Sequence, residues 1–437
     1  MGDYPDPLAI RPLDRPPDAV VRVPGSKSVT NRALVCAALA AGTSVLRDVL
    51  VADDTEAMIG VLDAIGVGVR LDRDHRTVTV VGCDGTLPAP GAEVEVDVRQ
   101  SGTTARFVPP LLALGDGAYR VTGHPQLLAR PMGPTFDALR HLGVPVEELA
   151  GRGLFPATIR GGQVRGGVLA LPGDVSSQFL SGLLLAAPYL PDGLVVELTT
   201  RLVSRPYVEL TRSVMAAFGV DVEAPDPSTY VVPPGRYRGT DVTVEPDASA
   251  ASYFFAAAAI TGGRVRVEGL TADAAQGDVA FVDVLERMGA TVDRRADGIE
   301  VTGTGTLRGG SFDLADISDT AQTLAAVAVF AEGPVQVTGI GFIRRKETDR
   351  IAAVVTELRR AGIDADEEPD GFVVRPGTPR PTTVRTYDDH RMAMSFSLLG
   401  LRVPGIEIAD PGCVSKTFPD FYDVLEALRG ITPSPAR

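Results

Sequence analysis

The chain has no tryptophan, three cysteines, four histidines and a single asparagine in 437 residues, and among its 42 basic residues only three are lysines. Each scarcity excludes something. Cys36, Cys83 and Cys413 lie at wide, unmatched spacings that form neither a CxxC pair nor a disulfide ladder, as expected in a reducing cytoplasm. His75, His124, His141 and His390 are scattered and give no metal-ligand spacing, so neither a metal nor another cofactor is expected. The longest apolar stretches, around Phe254–Ile260 and Leu324–Phe330, fall short of the roughly 20 residues a membrane helix needs. Six prolines precede residue 30, and no secretory apolar segment is read there. The net charge of -14 speaks against a nucleic-acid partner, whose phosphates favour a basic face.

What is present is an ordinary globular composition, 44% hydrophobic, with length for two or three domains. The skew of 39 arginines to three lysines implies that arginine has replaced lysine wherever either serves. Lys27 in PGSKSVTNRAL, Lys346 in RRKETDR and Lys416 in VSKTFPD therefore mark positions that need a compact, rotatable ammonium. The lone Asn31 follows Lys27 by four residues.

The chain also repeats. Helical patterns end at Gly66, Gly143, Gly219, Gly289 and Gly362, each followed by strand-like alternation, with Gly430 as a sixth; successive glycines are 77, 76, 70, 73 and 68 residues apart. Glycine suits the left-handed residue that commonly stops a helix. Between them run six nearly all-apolar segments, expected as helices buried on all sides. They open at Ser26-Lys27-Ser28, Ser101-Gly102-Thr103, Val175-Ser176-Ser177, Asp247-Ala248-Ser249, Asp319-Thr320 and Asp389-His390-Arg391. Exits such as Val265–Val267 and Val335–Val337 read as strands. The pattern predicts six copies of an α/β unit of about 73 residues, grouped three and three. The stretches Pro225–Pro227 and Pro376–Pro381 read as turns between units.

The openings of the buried segments are helix N-termini, where free N–H groups and the macrodipole favour anions. Serine, threonine and aspartate there are ordinary caps. Capping does not require the Lys27, Gln178, His390 and Arg391 found beside them. Arg344-Arg345-Lys346-Glu347-Thr348-Asp349-Arg350 is read as placing Lys346 and Arg350 on one helix face. Arg130-Pro131, after the strand Tyr119–Thr122, adds a guanidinium suited to bidentate grip of carboxylate or phosphate. A phosphate loop is excluded, because Ser26 and Val21 stand where its glycines would be. Gly303-Thr304-Gly305 has no following helix, and no GxSxG elbow occurs. What remains is chemistry by positioned Lys, Arg, Asp and Glu on a substrate rich in negative charge.

PGSKSVTNRALVCAALA, SGTTARF, ARPMGP, DVSSQFLSGLLLAAP, VSRPYVELT, EPDASAASYFFAAAAI, KETDRI, DDHRMAMSFSL and SKTFPDF resemble, in order and spacing, the 5-enolpyruvylshikimate-3-phosphate synthase family from about Val23 to Phe421. The resemblance implies a two-domain α/β enolpyruvyl transferase fold, each domain three βαβαββ units around a pseudo-threefold axis (inside-out α/β). One domain would combine residues 1–25 with 246–437, the other would be the inserted 26–245, and the site would lie in the cleft between them. The implied activity is transfer of the enolpyruvyl group of phosphoenolpyruvate to the 5-hydroxyl of shikimate 3-phosphate, releasing phosphate through a tetrahedral intermediate. Small-molecule substrates, no membrane, and a cytoplasmic monomer follow from the same likeness.

By the same resemblance, Ser176, Ser177 and Ser204 would bind the shikimate phosphate, with Lys27, Ser28, Arg32, Gln178, Tyr207, Asp319 and Lys346 around the ring. Lys27, Gly102, Arg130, Gln178, Arg350, Arg391 and Lys416 would bind phosphoenolpyruvate, with Arg106 in the same cationic group. Asp319 would take the 5-hydroxyl proton and Glu347 would exchange protons with the methylene carbon; Lys27, Lys416 and His390 complete the implied catalytic set. Gln100-Ser101 stands where the family often has Asn-Ala, and Phe342 where an Asn is frequent. Gly102 is kept, so phosphoenolpyruvate and the inhibitor glyphosate are both expected to enter. Two alternatives stay open: the sister UDP-N-acetylglucosamine enolpyruvyl transferase, which needs Lys-Asn where this chain has Lys27-Ser28, and a non-catalytic binder of phosphorylated metabolites.

Overall fold

The computed structural model describes residues 4–88 and 91–430. Contacts divide the chain into two compact units, Met1–Pro24 with Glu245–Arg437, and Gly25–Val244. Each has its own apolar core.

The near-continuous apolar segments fold as helices Lys27–Leu39, Gly102–Ala113 and Ser177–Ala186 in one unit, and Ala248–Thr261, Ala321–Ala328 and His390–Gly400 in the other. Every residue of Gly102–Ala113 and of His390–Gly400 is buried. A helix without a polar stripe has no face to offer water, so these become the interior of each unit. A second series, Asp53–Ala64, Gly133–His141, Pro206–Ala217, Phe281–Met288, Arg350–Arg360 and Phe421–Ala427, keeps one exposed face. Gly66, Gly143, Gly219, Gly289, Gly362 and Gly430, which follow or end these six helices, all have positive φ, from 74° to 113°.

Each buried helix leads into a strand that pairs in parallel with an outer strand. In the Gly25–Val244 unit the pairs are Asp241–Thr243 with Thr43–Arg47, Val94–Asp97 with Ala118–Thr122, and Gly167–Leu171 with Leu194–Leu198. In the other unit they are Asp18–Val21 with Arg264–Glu268, Gly310–Asp313 with Val335–Thr338, and Thr382–Val384 with Ile406–Ile408. Five sheets add an antiparallel hairpin and have four strands. The sixth has three, and its antiparallel partner is Leu8–Ile10, which pairs Leu8 with Ile408. The parallel pair Asp18–Val21/Arg264–Glu268 encloses the whole other unit in sequence, so the insertion sits inside one βαβ crossover.

Close packing of two buried helices explains an unusual sequence. Pro109 and Pro110 lie inside the helix Gly102–Ala113. Pro110 has no N–H for the carbonyl of Arg106 four residues back. That carbonyl faces Gly182 of the helix Ser177–Ala186, so near that a Cβ there would meet it at 2.4 Å. The two helices are thus locked side by side with their N-termini adjacent.

Two local expectations are corrected. Pro225 lies not in a turn but in the strand Glu223–Asp226, which forms the edge of its sheet, where a missing N–H breaks no ladder. Lys346 and Arg350 do not share a helix: Gly341–Arg345 is a 3-10 turn capped by Lys346, and a new helix begins at Arg350. Asp349 enforces the break, because its carboxylate accepts from the N–H of Ala352 at 3.0 Å and so fixes the start of Arg350–Arg360. Among the described residues no helix is long and apolar enough to cross a membrane.

Candidate active site

The predicted residues fall into two groups, one in each unit. In Gly25–Val244 all three buried helices are capped by serine. Ser26 accepts from Val29 N, Ser101 from Thr104 N, and Ser176 from Gln178 N, each at 3.3 Å. Lys27, the first residue after its cap, points its ammonium at Asp54 Oδ2, 3.1 Å away. Sequence reasoning missed Asp54, because Asp53-Asp54 reads as the acidic first turn of its own helix and nothing in the chain order links it to Lys27.

Arg32 is 1% exposed. Its Nε donates to Thr211 Oγ1 at 2.8 Å, and its other nitrogens to the carbonyls of Ser28 (2.9 Å) and Tyr207 (3.0 Å). The guanidinium also lies 5.1 Å from the centre of the Phe107 ring. These partners are neutral, and burial lowers its pKa to about 10. The unit therefore holds a buried cation whose compensation is left to hydrogen bonds, an arrangement that favours an added anion.

Gly102 begins its helix directly beneath Arg130: a Cβ would lie 2.9 Å from one terminal nitrogen of the guanidinium. Arg106, one turn on, donates to Gly102 O at 3.3 Å and stacks over Phe179. Gln178 ties the first turns of two helices together by donating to Thr103 Oγ1 at 3.3 Å. Ser177 and Ser204 are buried, and Ser204 holds a left-handed backbone with φ 50°. Such a conformation in a non-glycine residue persists only where its surroundings impose it. Tyr207 follows it, its N–H donating to Ser204 O.

The other unit is organised around a buried cation of a different kind. Arg350, 2% exposed, reaches three carboxylates: Nε to Asp389 Oδ2 at 2.8 Å, one terminal nitrogen to Asp319 Oδ1 at 3.2 Å, the other to Glu347 Oε2 at 2.8 Å. Burial works against its charge, but Asp389, Glu347 and Asp319 outweigh it and raise its pKa above the ordinary value. Arg391 closes the cluster on Asp319 Oδ2 at 2.6 Å and touches Tyr253 Oη at 3.5 Å.

Asp319 departs from its repeat-mates. Asp247 and Asp389 spend a carboxylate oxygen on the N–H of Ala250 and Arg391. Asp319 instead sits in a 3-10 turn, Ser318–Thr320, ahead of the helix Ala321–Ala328, which has no side-chain cap. Its two oxygens are held by two guanidinium groups, those of Arg350 and Arg391, which orient it. Lys346 lies 5.9 Å from the centre of the Phe342 ring, so the residue standing where the family often has Asn serves as a cation-π platform. Lys416, at the end of the turn Pro411–Lys416, is 3% exposed. His390 is fully buried, its Nδ1 3.7 Å from Asp389 Oδ1, beyond hydrogen-bond reach.

Comparison with known proteins agrees with these features. A sequence model of EPSP synthase (3-phosphoshikimate 1-carboxyvinyltransferase) matches residues 15–425. The chain is 46% identical over 418 residues to a 3-phosphoshikimate 1-carboxyvinyltransferase of Nostoc sp., covering 95% of this chain and 98% of that one. It is 41% identical to the protein of that name from Vibrio atlanticus, covering 96% and 99%. Among solved structures it is similar to EPSP synthase from Acinetobacter baumannii, with TM-score 0.82 and 28% identity over 97% of this chain and 98% of that one. The fold, though not more than the fold, is shared with the enolpyruvyl transferase NikO from Streptomyces tendae, at TM-score 0.74 and 22% identity.

Proposed function

The chain belongs to the EPSP synthase family of 3-phosphoshikimate 1-carboxyvinyltransferases, and from that premise we propose how its residues divide the work. It is a transferase of the shikimate pathway of aromatic amino acid biosynthesis: it moves the enolpyruvyl group of phosphoenolpyruvate to the 5-hydroxyl of shikimate 3-phosphate and releases phosphate. The sister UDP-N-acetylglucosamine enzyme is not favoured, since the similar curated proteins carry the 3-phosphoshikimate name.

The phosphate of shikimate 3-phosphate is assigned to Ser176, Ser177 and Ser204, with Lys27, Ser28, Arg32, Gln178, Tyr207 and Lys346 holding the ring. Serine caps support this reading, because a neutral cap satisfies one N–H while leaving the positive end of the helix available to an anion. Phosphoenolpyruvate is assigned to Lys27, Gly102, Arg130, Gln178, Arg350, Arg391 and Lys416. Its phosphate and carboxylate need fixed cations, and Gly102 leaves room for Arg130 to lie against the backbone.

Asp319 is assigned as the base that takes the 5-hydroxyl proton as oxygen attacks the enol carbon. Glu347 is assigned as the donor of a proton to the methylene carbon in addition and its acceptor in elimination, with Lys27, His390 and Lys416 beside them. Separate acid and base groups suit an addition–elimination sequence, in which a proton arrives at one carbon and leaves another atom. The single observation that carries the reading is Asp319: a carboxylate in the turn before a buried helix, with one oxygen held by Arg350 and the other by Arg391.

The enzyme is further assigned to the cytoplasm as a monomer on small-molecule substrates; sedimentation at the mass of one chain is the expected result. The decisive assay is phosphate release from phosphoenolpyruvate. Strict dependence on shikimate 3-phosphate is expected, and absence of turnover with both substrates present would sink the assignment.

A further inference from the structure

One buried carboxylate near the Arg350 cluster has no part in the chemistry above. Glu357 lies two turns after Arg350 on the helix Arg350–Arg360, and its side chain is 0% exposed. A carboxylate that deep must be met by donors. Arg360 supplies one nitrogen to both oxygens, at 2.9 and 2.8 Å, and gives its other to Thr383 O at 3.1 Å. The remaining donors come from the segment that leads into the helix His390–Gly400: Arg385 N–H to Oε2 at 3.0 Å and the Tyr387 hydroxyl to Oε1 at 2.7 Å. Burial, with the Glu357 hydrogen bond second, pushes the Tyr387 phenol up to about 12, so it remains an O–H donor at neutral pH.

The segment so held is strained. Tyr387 and Asp388 are consecutive non-glycine residues with φ 57° and 55°. Two such residues in a row are retained only where neighbouring contacts over-determine them. The next residue is Asp389, which receives Arg350 Nε and caps the helix through Arg391 N–H. Arg391 then reaches Asp319. The strained turn thus lies between a buried hydrogen-bond anchor and the residues that orient Arg350, Arg391 and Asp319. An ion pair with Arg360 alone would not require burial, since Arg360 is itself 37% exposed; the contacts that do are those to Arg385 and Tyr387.

We propose that Glu357 and Tyr387 are a pair of positioning residues, which hold the left-handed Tyr387-Asp388 turn and through Asp389 set the guanidinium groups that bind phosphoenolpyruvate. The inference rests on the assignment of Arg350 and Arg391 to that substrate. It is tested by steady-state kinetics on the full-length Tyr387→Phe, Glu357→Gln and double variants, with each substrate varied in turn and thermal midpoints measured alongside. Arg391→Lys serves as the control for the assignment itself.

Tyr387→Phe, which keeps the ring and removes only the O–H, is expected to raise KM for phosphoenolpyruvate about tenfold through misplacement of the binding groups. KM for shikimate 3-phosphate should stay within about twofold of wild type. Glu357→Gln should do the same, and the double variant should be no worse than the stronger single variant within about twofold, because both cut one link. An unchanged KM for phosphoenolpyruvate in folded variants overturns the proposal. So does a parallel loss of kcat that tracks the folded fraction and moves neither KM. If Arg391→Lys raises that KM and Tyr387→Phe does not, the positioning pair alone fails; if Arg391→Lys leaves it unchanged, the assignment of Arg391 fails and the inference with it.

Discussion

The three buried helices of the Gly25–Val244 unit begin on serine, whereas two of the three in the other unit begin on aspartate and the third follows a 3-10 turn that carries Asp319. The repeat is the same and its secondary structure differs little, yet the electrostatics diverge. A hydroxyl cap is neutral, so the helix N-terminus stays positive beside Lys27, Arg32 and Arg130. A carboxylate cap cancels that end, and one of the two, Asp389, also accepts from the buried Arg350. In one unit the helix openings stay positive; in the other, Asp319, Glu347 and Asp389 fix the orientation of Arg350 and Arg391. The same topology carries both because capping needs only an oxygen at one position, and the kind of oxygen is free to vary.

The comparison breaks most sharply at Asp319, the aspartate held between two arginines. Asp319→Asn keeps the size and one acceptor but cannot take a proton, so kcat for phosphate release should fall about a thousandfold with the fold retained; near-normal turnover would remove Asp319 from the base role. Asp389→Ser converts an aspartate-capped helix to the serine type. The cap survives, but Arg350 loses a buried partner, and urea unfolding should show a loss of about 3–5 kcal/mol. A change below about 1 kcal/mol would mean that Glu347 and Asp319 suffice for it.

Lys416→Arg keeps charge but forces a planar fork into a site 3% exposed. Turnover should drop about a hundredfold with little change in thermal midpoint, and wild-type activity would show that the survival of lysine there is coincidence. Ser176→Asp is the reciprocal swap. Aspartate caps as well as serine, so stability should hold, while KM for shikimate 3-phosphate rises about thirtyfold as a carboxylate confronts its phosphate; an unchanged KM would separate the cap from substrate binding. Gly102→Ala should have the smallest effect, since its methyl group meets the flexible end of Arg130 rather than backbone. A roughly tenfold rise in KM for phosphoenolpyruvate, with weaker inhibition by glyphosate and an unchanged midpoint, is the expected pattern.

Most of the candidate residues were named from the skew in composition and from motif resemblance. With arginine in nearly every basic position, Lys27, Lys346 and Lys416 stood out, and motif resemblance supplied the other candidates. Asp54 was not legible: an acidic first turn needs no further explanation in sequence, and only the fold brings it to 3.1 Å from Lys27. Glu357 was hidden in the same way, as one glutamate in the charged run Glu357-Leu358-Arg359-Arg360. The reading of Lys346 and Arg350 on one helix failed because spacing of four is compatible with a helix but does not require one, and the Asp349 cap decides between them.

By itself the sequence determined the six-fold repetition, the buried helices and the glycine that ends each partner helix, because these follow from local backbone preference and from whether a segment has any polar face to show water. Only the tertiary structure decided which charges meet. Whether Arg32 finds hydroxyls and carbonyls or Arg350 finds three carboxylates depends on residues brought from up to 179 positions away in the first case and 39 in the second. Electrostatic partnership falls off with distance in space, which chain position does not encode.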